Sequence, residues 1–406
     1  MAFDTFLKSV FTAGDLEARL PGGQTLRLGD GSAPHVVVTI ADHATLGRIM
    51  AAPSLGVGEA WMDGRLTLER GTIQELVELA CRNTGARPGG KAVGPLQRWA
   101  ARTLQEGNAR TRALRNVAHH YDLSLDLYRL FLDEDLQYSC AYFEEPGVSL
   151  EEAQLAKKRH IAAKLAIAPG HRVLDIGCGW GGMALFLAAC TGARVDGVTL
   201  STEQLAMARA RAEATGLPAR AQFTLTDYRD IQGRYDRIVS VGMFEHVGRP
   251  NYQAYFDQVA RLLTDDGVAL IHSIGRMDAP SRTDPFTAKY IFPGGYIPAL
   301  SEVFPAVERA GLWVTDLEVL RFHYADTLKA WGQRFARARP KVAELYDERF
   351  CRMWEYYLVC AEMGFRYGRH MNFQLQLTKR AGVLPTTRGY MADVEDDLAD
   401  VARRVA

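Results

Sequence analysis

Polar side chains at the ends of two predicted strands provide groups that can do acid–base chemistry. Glu245 and His246 follow the predicted strand Tyr235–Val241, and His272 lies near the end of a second predicted strand, residues 267–275. Ligands of an open α/β sheet bind at the carboxyl ends of its strands, so these side chains are expected to face one crevice. A carboxylate and an imidazole in such a crevice can accept or donate a proton on a bound substrate.

A loop with a single cysteine precedes these strands. The stretch Tyr138–Phe143 combines aromatic and polar residues and fits neither an exposed helix nor an alternating strand. Cys140 is therefore a candidate site residue. A lone cysteine is also commonly a small buried hydrophobic residue, so the residues alone leave both interpretations open.

The stretch Val173–Gly182 is predicted to position a cofactor. Its first residues are apolar and predict a buried parallel strand. Gly177, Gly179 and Gly181 then allow a tight turn and a close approach to a ligand. Gly182 completes a G-x-G-x-x-G spacing, which by itself is a weak signal for a nucleotide cofactor.

Neighbours of this turn favour S-adenosylmethionine (SAM) over a nicotinamide dinucleotide. Asp175 lies two residues before the first glycine, where a carboxylate would repel a pyrophosphate and attract an ammonium and a sulfonium group. The next predicted strand leads into Thr199 and Gln204, whereas a dinucleotide site usually has an acidic residue at that strand end. Asp227 and Tyr228 follow a further strand and are candidates to hold the adenine. A nicotinamide cofactor and a turn without ligand remain the alternatives.

The elements that position these groups predict more than one domain. Strands and helices alternate beyond residue 150, which predicts an α/β, Rossmann-like domain with a mainly parallel sheet, and we place this SAM-dependent catalytic domain at residues 116–406. Short strands and helices predict a small α+β domain for binding or dimerisation over residues 1–85. Residues 86–115 predict a basic linker. Its charges could meet anionic lipid head groups, and an exposed helix face explains them as well.

The composition excludes several other classes of protein. The 406 residues include 48 basic and 48 acidic ones, which excludes the global positive field of a nucleic-acid-binding protein. Apolar runs are shorter than the ~18 residues of a membrane span, and the N-terminal residues lack the plan of a signal peptide. The six cysteines form no C-x-x-C pair, which argues against a zinc site or a disulfide framework. We therefore expect a cytoplasmic protein without a metal or nucleic-acid partner.

Motifs along almost the whole chain resemble those of the cyclopropane-fatty-acyl-phospholipid synthases, SAM-dependent enzymes that add a methylene group across a lipid double bond. The motifs that carry the resemblance are His119–Asp122, Tyr138–Phe143, Val173–Gly182, Gly197–Gln204, Phe244–Gly248, His272–Gly275, Ile291–Gly295 and His323–Trp331. The N-terminal domain resembles the lipid-binding domain of the bacterial members of that family.

The resemblance implies a class I methyltransferase fold and a set of site residues. A bicarbonate ion would be held by Cys140, Glu245, His272, the backbone of Ile274, and Tyr324. Cofactor contacts would come from Tyr138, Ser139, Gly177, Gly179, Thr199, Gln204 and Tyr228, beside Asp175, Gly181 and Asp227 from the pattern above. It further implies an unsaturated phospholipid partner, a homodimer, and peripheral association with the inner face of the membrane.

The implied reaction converts the cis double bond of an unsaturated acyl chain into a cyclopropane ring, with bicarbonate as the base and Glu245 as its orienter. Glu245 as the direct base is the alternative. Aromatic residues could stabilise the cation that forms on the acyl chain, and the candidates are Tyr142, Phe143, Tyr290 and Phe292. The last two belong to Lys289–Pro298, which predicts a loop that forms a lid or pocket wall.

Three other functions remain open from the sequence. A SAM-dependent lipid C-methyltransferase could use the same residues and leave a methyl or methylene branch. A lipid carrier without catalysis would use only the N-terminal domain. An NAD-linked oxidoreductase would require nicotinamide binding.

Overall fold

The computed structural model describes residues 11–84 and 123–405 of the chain, and these form two compact units. The first unit contains residues 11–84, 283–293 and 325–370. The second contains residues 123–282, 294–324 and 371–405. The predicted basic linker, residues 86–115, and the motif His119–Asp122 lie outside the described residues.

Strands and helices alternate along most of the described chain. The strands are β1 (Asp15–Arg19), β2 (Thr25–Gly29), β3 (His35–Ile40), β4 (Leu66–Arg70), β5 (Arg172–Ile176), β6 (Arg194–Thr199), β7 (Ala221–Leu225), β8 (Tyr235–Val241), β9 (Leu263–Arg276), β10 (Trp313–Leu320) and β11 (His370–Thr378). The helices are α1 (His43–Ala51), α2 (Pro53–Met62), α3 (Ile73–Thr84), α4 (Leu125–Phe131), α5 (Leu150–Leu165), α6 (Gly182–Thr191), α7 (Thr202–Ala214), α8 (Tyr252–Leu262), α9 (Pro285–Tyr290), α10 (Leu300–Arg309), α11 (His323–Leu345), α12 (Glu348–Arg366) and α13 (Gly389–Val405). Within residues 11–84 and 123–405, no helix is long and apolar enough to cross a bilayer.

The second unit is built on a seven-stranded sheet with the order β10-β11-β9-β8-β5-β6-β7. The pairs from β9 through β8, β5 and β6 to β7 are parallel, and β10 pairs with β11 antiparallel. This arrangement confirms the predicted α/β fold with a mainly parallel sheet. Because parallel strands share one direction, the ends of β5, β6, β8 and β9 that carry the predicted site residues lie along one edge of the sheet.

Both faces of this sheet are covered, which explains why its strands are nearly continuous apolar runs. Leu174, Ile238 and Ile271 are fully buried on one face, against α8 and α10. Val173 and Val239 are fully buried on the other face, against α5, α6 and α7. Each such side chain contributes about 1.5–3 kcal/mol by leaving water, so the core fixes the strand ends on which the site depends.

The first unit contains a four-stranded sheet with the order β2-β1-β3-β4. One face is buried, as the alternation along β3 shows, where Val36, Val38 and Ile40 are buried. Leu79 of α3 packs on that face and is fully buried. These elements confirm the predicted small α+β fold, although β4 and α2 were not predicted.

Helix α2 packs closely on two segments from much later in the chain, within the same unit. A Cβ atom on Gly58 would lie 2.4 Å from the Phe286 ring and 2.7 Å from the Tyr356 ring. The Tyr356 hydroxyl donates to the Ser54 carbonyl at 3.1 Å. The N-terminal residues therefore share one core with α9 and α12.

The segment Lys289–Pro298 was predicted to be a loop, and this is wrong for its first two residues, which end α9. Asp284 caps this helix, because its carboxylate accepts from the N–H groups of Phe286 and Thr287 at 3.0 and 3.1 Å. Pro285 occupies the first helical position, where its missing N–H costs nothing. The Asp284-Pro285 pair is a sequence signal for the start of a helix, and the prediction of a loop from the aromatic residues that follow did not use it.

Candidate functional site

The glycine turn after β5 has the conformation that its spacing predicts. Gly177, Gly179 and Gly181 have φ angles of 81°, 54° and 86°, in the left-handed region that favours glycine. The N–H groups of Gly177 and Cys178 both donate to the Val198 carbonyl at 3.0 Å. The turn is thereby tied to β6, and α6 begins directly after it.

The fourth glycine of the motif allows a second loop to approach the N-terminus of α6. A Cβ atom on Gly182 would lie 2.4 Å from Gln137 Nε2 and 2.5 Å from Asp135 Oδ2. Asp135 is held in place by Lys158, whose Nζ lies 2.6 Å from the same oxygen. The chain therefore passes close to the glycine turn immediately before Tyr138.

We expect Gly177→Ala to weaken SAM binding about tenfold and to lower thermal stability. An alanine there must adopt a left-handed φ, which costs about 1–2 kcal/mol, and its Cβ would lie only 2.9 Å from Met243 Cβ. Gly147→Ala is the matched control, because Gly147 also has a positive φ, of 91°, but a Cβ atom there would meet no atom of the described residues beyond its chain neighbours within 4 Å. Calorimetric titration with SAM and thermal unfolding measure both effects. Parental SAM affinity in Gly177→Ala would contradict the prediction.

Asp175 is a buried carboxyl group at the end of β5, with only 2% of its surface exposed. Its Oδ2 atom has no hydrogen-bond partner among the described residues. Burial raises the pKa of Asp175 to about 7, against the opposing effect of the Lys157 charge. A buried carboxylate with an unpaired oxygen is strongly attracted to a cationic ligand, so Asp175 fits the ammonium group of SAM.

Thr199 and Gln204 are brought together at the end of β6. The Thr199 hydroxyl donates to Gln204 Oε1 at 2.8 Å and accepts from the Ser201 N–H at 3.2 Å. Both side chains are buried. The two predicted cofactor contacts therefore form one hydrogen-bonded unit next to the glycine turn.

Asp227 and Tyr228, the predicted adenine contacts, have different surroundings. The Asp227 carboxylate accepts from the Arg229 N–H at 3.0 Å and from Arg229 Nε at 2.8 Å, so it shapes its own turn. The Tyr228 ring packs edge-on against Tyr255, with the ring centroids 5.3 Å apart, and burial raises the pKa of Tyr228 to about 12. Contact of either residue with an adenine stays a prediction.

The loop that carries Tyr138, Ser139 and Cys140 is held in place by hydrogen bonds from α5. Gln154 Nε2 donates to the Ser139 carbonyl at 3.0 Å, and Lys157 Nζ donates to Ser139 Oγ at 2.8 Å. The Cys140 side chain is fully buried, and its thiol lies 3.3 Å from the Ala141 carbonyl. Tyr138 packs edge-on against aromatic residues of α4.

Glu245 lies in a short 3-10 turn after β8 and is bound to the end of β9. Its Oε1 accepts the Ile274 N–H at 2.7 Å, while Oε2 is buried and has no hydrogen-bond partner among the described residues. Burial raises the pKa of Glu245 to about 7. The Ile274 N–H thus donates to Glu245, and its implied contact with bicarbonate stays a prediction.

His272 is buried in β9 and has both ring nitrogens near amide groups of β11. Nε2 lies 3.0 Å from Asn372 Nδ2, and Nδ1 lies 3.1 Å from Gln374 Nε2. Burial lowers the pKa of His272 well below its ordinary value, so the ring is neutral, with one donor and one acceptor nitrogen. Only one of the two ring nitrogens can accept from an amide N–H, and contact of His272 with a bicarbonate ion stays a prediction.

Backbone contacts bring the loop after Tyr138 to the ends of β8 and β9. The Gly242 N–H donates to the His272 carbonyl at 2.9 Å, and a Cβ atom on Gly242 would lie 3.9 Å from Ser139 Cβ. Cys140 follows Ser139, and Glu245 follows Gly242 by three residues. Three of the predicted catalytic residues therefore belong to segments that meet at the same sheet edge.

The position of Tyr324 follows from a contact of the preceding residue, His323. His323 Nδ1 accepts the Phe143 N–H at 2.9 Å, so the start of α11 lies beside the residues that follow Cys140. Tyr324 is the next residue of α11 and has 9% of its surface exposed.

The aromatic residues that were predicted to stabilise a cation are distributed over both units. The Tyr142 ring stacks on His160 and on His323, at centroid distances of 4.2 and 5.0 Å. Contact of Tyr142 with a substrate cation therefore stays a prediction. Tyr290 and Phe292 belong to the first unit, where the Tyr290 hydroxyl donates to a glutamate of α2.

Sequence reasoning missed the buried polar residues that support the site: Asn372, Gln374, Gln154 and Lys157. The first two lie at alternate positions of β11, which resembles the pattern of a half-exposed strand. Their exposed fractions are 1% and 0%. The available signal was the alternation of amide side chains along β11, a strand whose two faces are both covered.

Known proteins resemble this chain over most of its length. Residues 108–375 match the model of the mycolic acid cyclopropane synthetase family, and residues 2–87 match the model of a domain of unknown function. The chain is 39% identical to the cyclopropane-fatty-acyl-phospholipid synthase of Escherichia coli, over 83% of this chain and 86% of that one. It is 38% identical to a tuberculostearic acid methyltransferase of Mycobacterium tuberculosis, over 88% of this chain and 86% of that one.

A solved structure resembles the chain as well. The mycolic acid cyclopropane synthase that was crystallised with S-adenosylhomocysteine (SAH) and CTAB is 34% identical, with a TM-score of 0.62. The match covers 65% of this chain and 97% of that one. It identifies the seven-stranded unit as a class I methyltransferase fold, as the sequence motifs implied.

Proposed function

Because this chain belongs to the mycolic acid cyclopropane synthetase family, we propose that it transfers a methylene group from SAM to a lipid double bond. The proposed acceptor is the cis double bond of an unsaturated fatty acyl chain in a membrane phospholipid, and the product is a cyclopropane ring. The proposed base is a bound bicarbonate ion. The enzyme would act as a cytoplasmic homodimer at the inner face of the membrane.

The observation that carries this proposal is the Glu245 carboxyl group. One oxygen is fixed by the Ile274 N–H at 2.7 Å, and the other is buried without a hydrogen-bond partner among the described residues. With its pKa raised to about 7 by burial, it can exchange a proton near neutral pH. An oriented carboxylate with one unpaired oxygen supports a step that moves a proton at this sheet edge.

The residues that the family resemblance implies as bicarbonate ligands have the chemistry to bind such an ion. When bound, bicarbonate would supply the base for the proton that leaves the transferred methyl group. Glu245 Oε2 can accept from the hydroxyl of that ion and orient it, and the Cys140 thiol and Tyr324 hydroxyl can donate to its oxygens. Glu245 as the direct base remains the local alternative.

The remaining residues bind the methyl donor and exclude water. SAM supplies an electrophilic methyl group, which an isolated alkene attacks only when the two are held close and in line. Asp175 attracts the ammonium group, and the glycine turn allows close approach of the cofactor. Attack leaves a carbocation on the acyl chain that water would trap, so the burial of Cys140 and His272, at 0% and 1% exposure, favours ring closure.

A lipid C-methyltransferase is the second candidate function. The relative named tuberculostearic acid methyltransferase is nearly as similar to the chain as the Escherichia coli cyclopropane synthase, at 38% against 39% identity. The same residues could bind SAM and the lipid, and the two reactions would differ in how the cation is resolved.

Mass spectrometry of the lipid product tests the proposal. Purified protein, SAM and vesicles of a monounsaturated phospholipid should give SAH and a lipid heavier by one methylene group, with the double bond replaced by a ring. A branched chain would support the C-methyltransferase. No SAH formation would support a lipid carrier, and calorimetric binding of NADH in place of SAM would support an oxidoreductase.

The basic linker gives a separate prediction about the membrane. Reversing Arg98, Arg102 and Arg110 to glutamate should weaken binding to anionic vesicles by at least about 3 kcal/mol, since each charge near such a surface is worth about 1 kcal/mol. The effect should shrink at high salt, which screens surface charge. Vesicle co-sedimentation measures it.

A matched variant reverses three arginines outside the linker, Arg27, Arg129 and Arg380, which are exposed. It should bind vesicles like the parent. Equal losses in both variants would assign the effect to net charge and not to the linker.

A further inference from the structure

Lys157 is a buried lysine in the middle of α5 that no part of the proposed mechanism uses. Its side chain has no exposed surface. Nζ donates to Gln137 Oε1 at 2.7 Å and to Ser139 Oγ at 2.8 Å. A fully buried ammonium group is costly unless it is paired, so these contacts and the nearby acids must compensate for its burial.

Gln154 lies three residues earlier on the same face of α5 and holds the same loop by its backbone. Its Nε2 donates to the Gln137 carbonyl at 3.2 Å and to the Ser139 carbonyl at 3.0 Å. Residues three apart on a helix are neighbours on its surface. Gln154 therefore fixes the path of the loop, and Lys157 fixes its side chains.

The charge of Lys157 acts on the acids at the ends of nearby segments. Asp133 and Asp175 have exposed fractions of only 3% and 2%, and both interact electrostatically with Lys157. Among the residues that the structure describes, none donates a hydrogen bond to Asp175 Oδ2. Asp135, Lys158, Cys140 and His272 are further charged or titratable groups that interact with Lys157.

We propose that Lys157 is a positioning residue for the methyl donor: it fixes the Ser139 hydroxyl in the orientation that binds SAM. This inference rests on the proposed function and on the SAM contact that the family resemblance implies for Ser139. Lys157 touches no reacting atom. Its effect on catalysis passes through Ser139.

A double-mutant cycle on SAM affinity tests this role. Lys157→Met and Ser139→Ala should each raise the Kd for SAM about tenfold or more, because each removes the ordered hydroxyl. The Kd of the double variant should rise by much less than the product of the two single increases, since the effects of contacting residues are not additive. The KM for SAM should rise with them, while turnover at saturating SAM changes little.

Lys164→Met is the control for the loss of a buried charge. Lys164 is also fully buried on α5, but its Nζ lies 3.5 Å from Asp316 Oδ1 and also contacts Glu318, away from the site loop. It should lose thermal stability and keep the parental Kd for SAM. If Lys157→Met does not fold, Lys157→Gln keeps a donor for Ser139 and should show the same weaker binding to a smaller degree.

The outcomes separate this inference from the proposed function. Parental SAM affinity in both Lys157 variants, or fully multiplicative effects in the double variant, would overturn the positioning role even if the parent makes cyclopropane lipids. A parent that binds SAM but makes no cyclopropane lipid would overturn the proposed function, and the Kd values would still decide the role of Lys157.

Discussion

Replacing Glu245 by glutamine is expected to lower turnover about 100-fold or more and to leave the Kd for SAM unchanged. Positioned groups that move a proton contribute about 100- to 10,000-fold to a rate. The amide keeps the volume of the side chain, and its oxygen can still accept the Ile274 N–H. It cannot take up the proton or carry the negative charge. SAH formation on monounsaturated vesicles and calorimetry with SAM measure the two quantities.

The pH dependence of the parent follows from the same carboxyl group. Since the pKa of Glu245 is raised from 4.5 to about 7, turnover should fall as the pH falls through about 7. A carboxyl group whose pKa is raised by folding destabilises the folded state once it ionises, and this effect grows between pH 4.5 and 7 and persists above. Glu245→Gln should therefore unfold at pH 8 at a temperature no lower than the parent.

Glu362→Gln is the matched control for the loss of a buried carboxylate. Glu362 has 5% of its surface exposed, and it accepts from Arg366 Nε at 2.6 Å within the first unit. This variant should keep most of its turnover. Parental turnover in Glu245→Gln would remove Glu245 from the mechanism, and a large rise in the Kd for SAM would instead make it a cofactor-binding residue.

The parts of the site that could be predicted from sequence are those formed by short continuous segments. Only glycine readily adopts the left-handed conformations of Gly177, Gly179 and Gly181. The apolar strand before them fixes where the turn must lie. Glu245 was predictable for a similar reason, because it follows an apolar strand whose carboxyl end must reach the ligand edge of the sheet.

The partners of these groups could not be predicted, because they come from distant parts of the chain. Asn372 and Gln374 meet the His272 ring across a separation of about 100 residues. Lysine side chains are usually exposed, whereas the Lys157 side chain is buried and contacts the loop of Ser139. Folding decides which polar residues become buried, and the local pattern does not record it.

Replacing Asp175 by asparagine is expected to weaken SAM binding about 10- to 100-fold while stabilising the protein without SAM. A hydrogen bond to a charged group is worth about 1.5–3 kcal/mol, and the asparagine loses the charge that attracts the ammonium group. Calorimetry at several pH values measures the affinity. In the parent the affinity should fall as the pH falls through about 7, where Asp175 takes up a proton. In Asp175→Asn the affinity should not change in this range.

The gain in stability follows from the raised pKa of Asp175. Burial raises this pKa from 3.8 to about 7, so ionisation of Asp175 destabilises the folded state increasingly between these pH values, and fully above them. Asp175→Asn should therefore unfold at a higher temperature than the parent at pH 8, and the difference should disappear near pH 4. Saturating SAM should reverse the order at pH 8, because it stabilises the parent more strongly.

Asp196→Asn is the control on the neighbouring strand, since the Asp196 carboxylate lies 3.0 Å from an Arg172 nitrogen. It should change neither the SAM affinity nor its pH dependence. An Asp175→Asn variant that is less stable than the parent without SAM, or that binds SAM equally well at pH 8, would contradict a charge held unpaired for the methyl donor. The combined loss of affinity and gain of stability distinguishes a binding group from one that only supports the fold, because a structural carboxylate would lose stability on substitution.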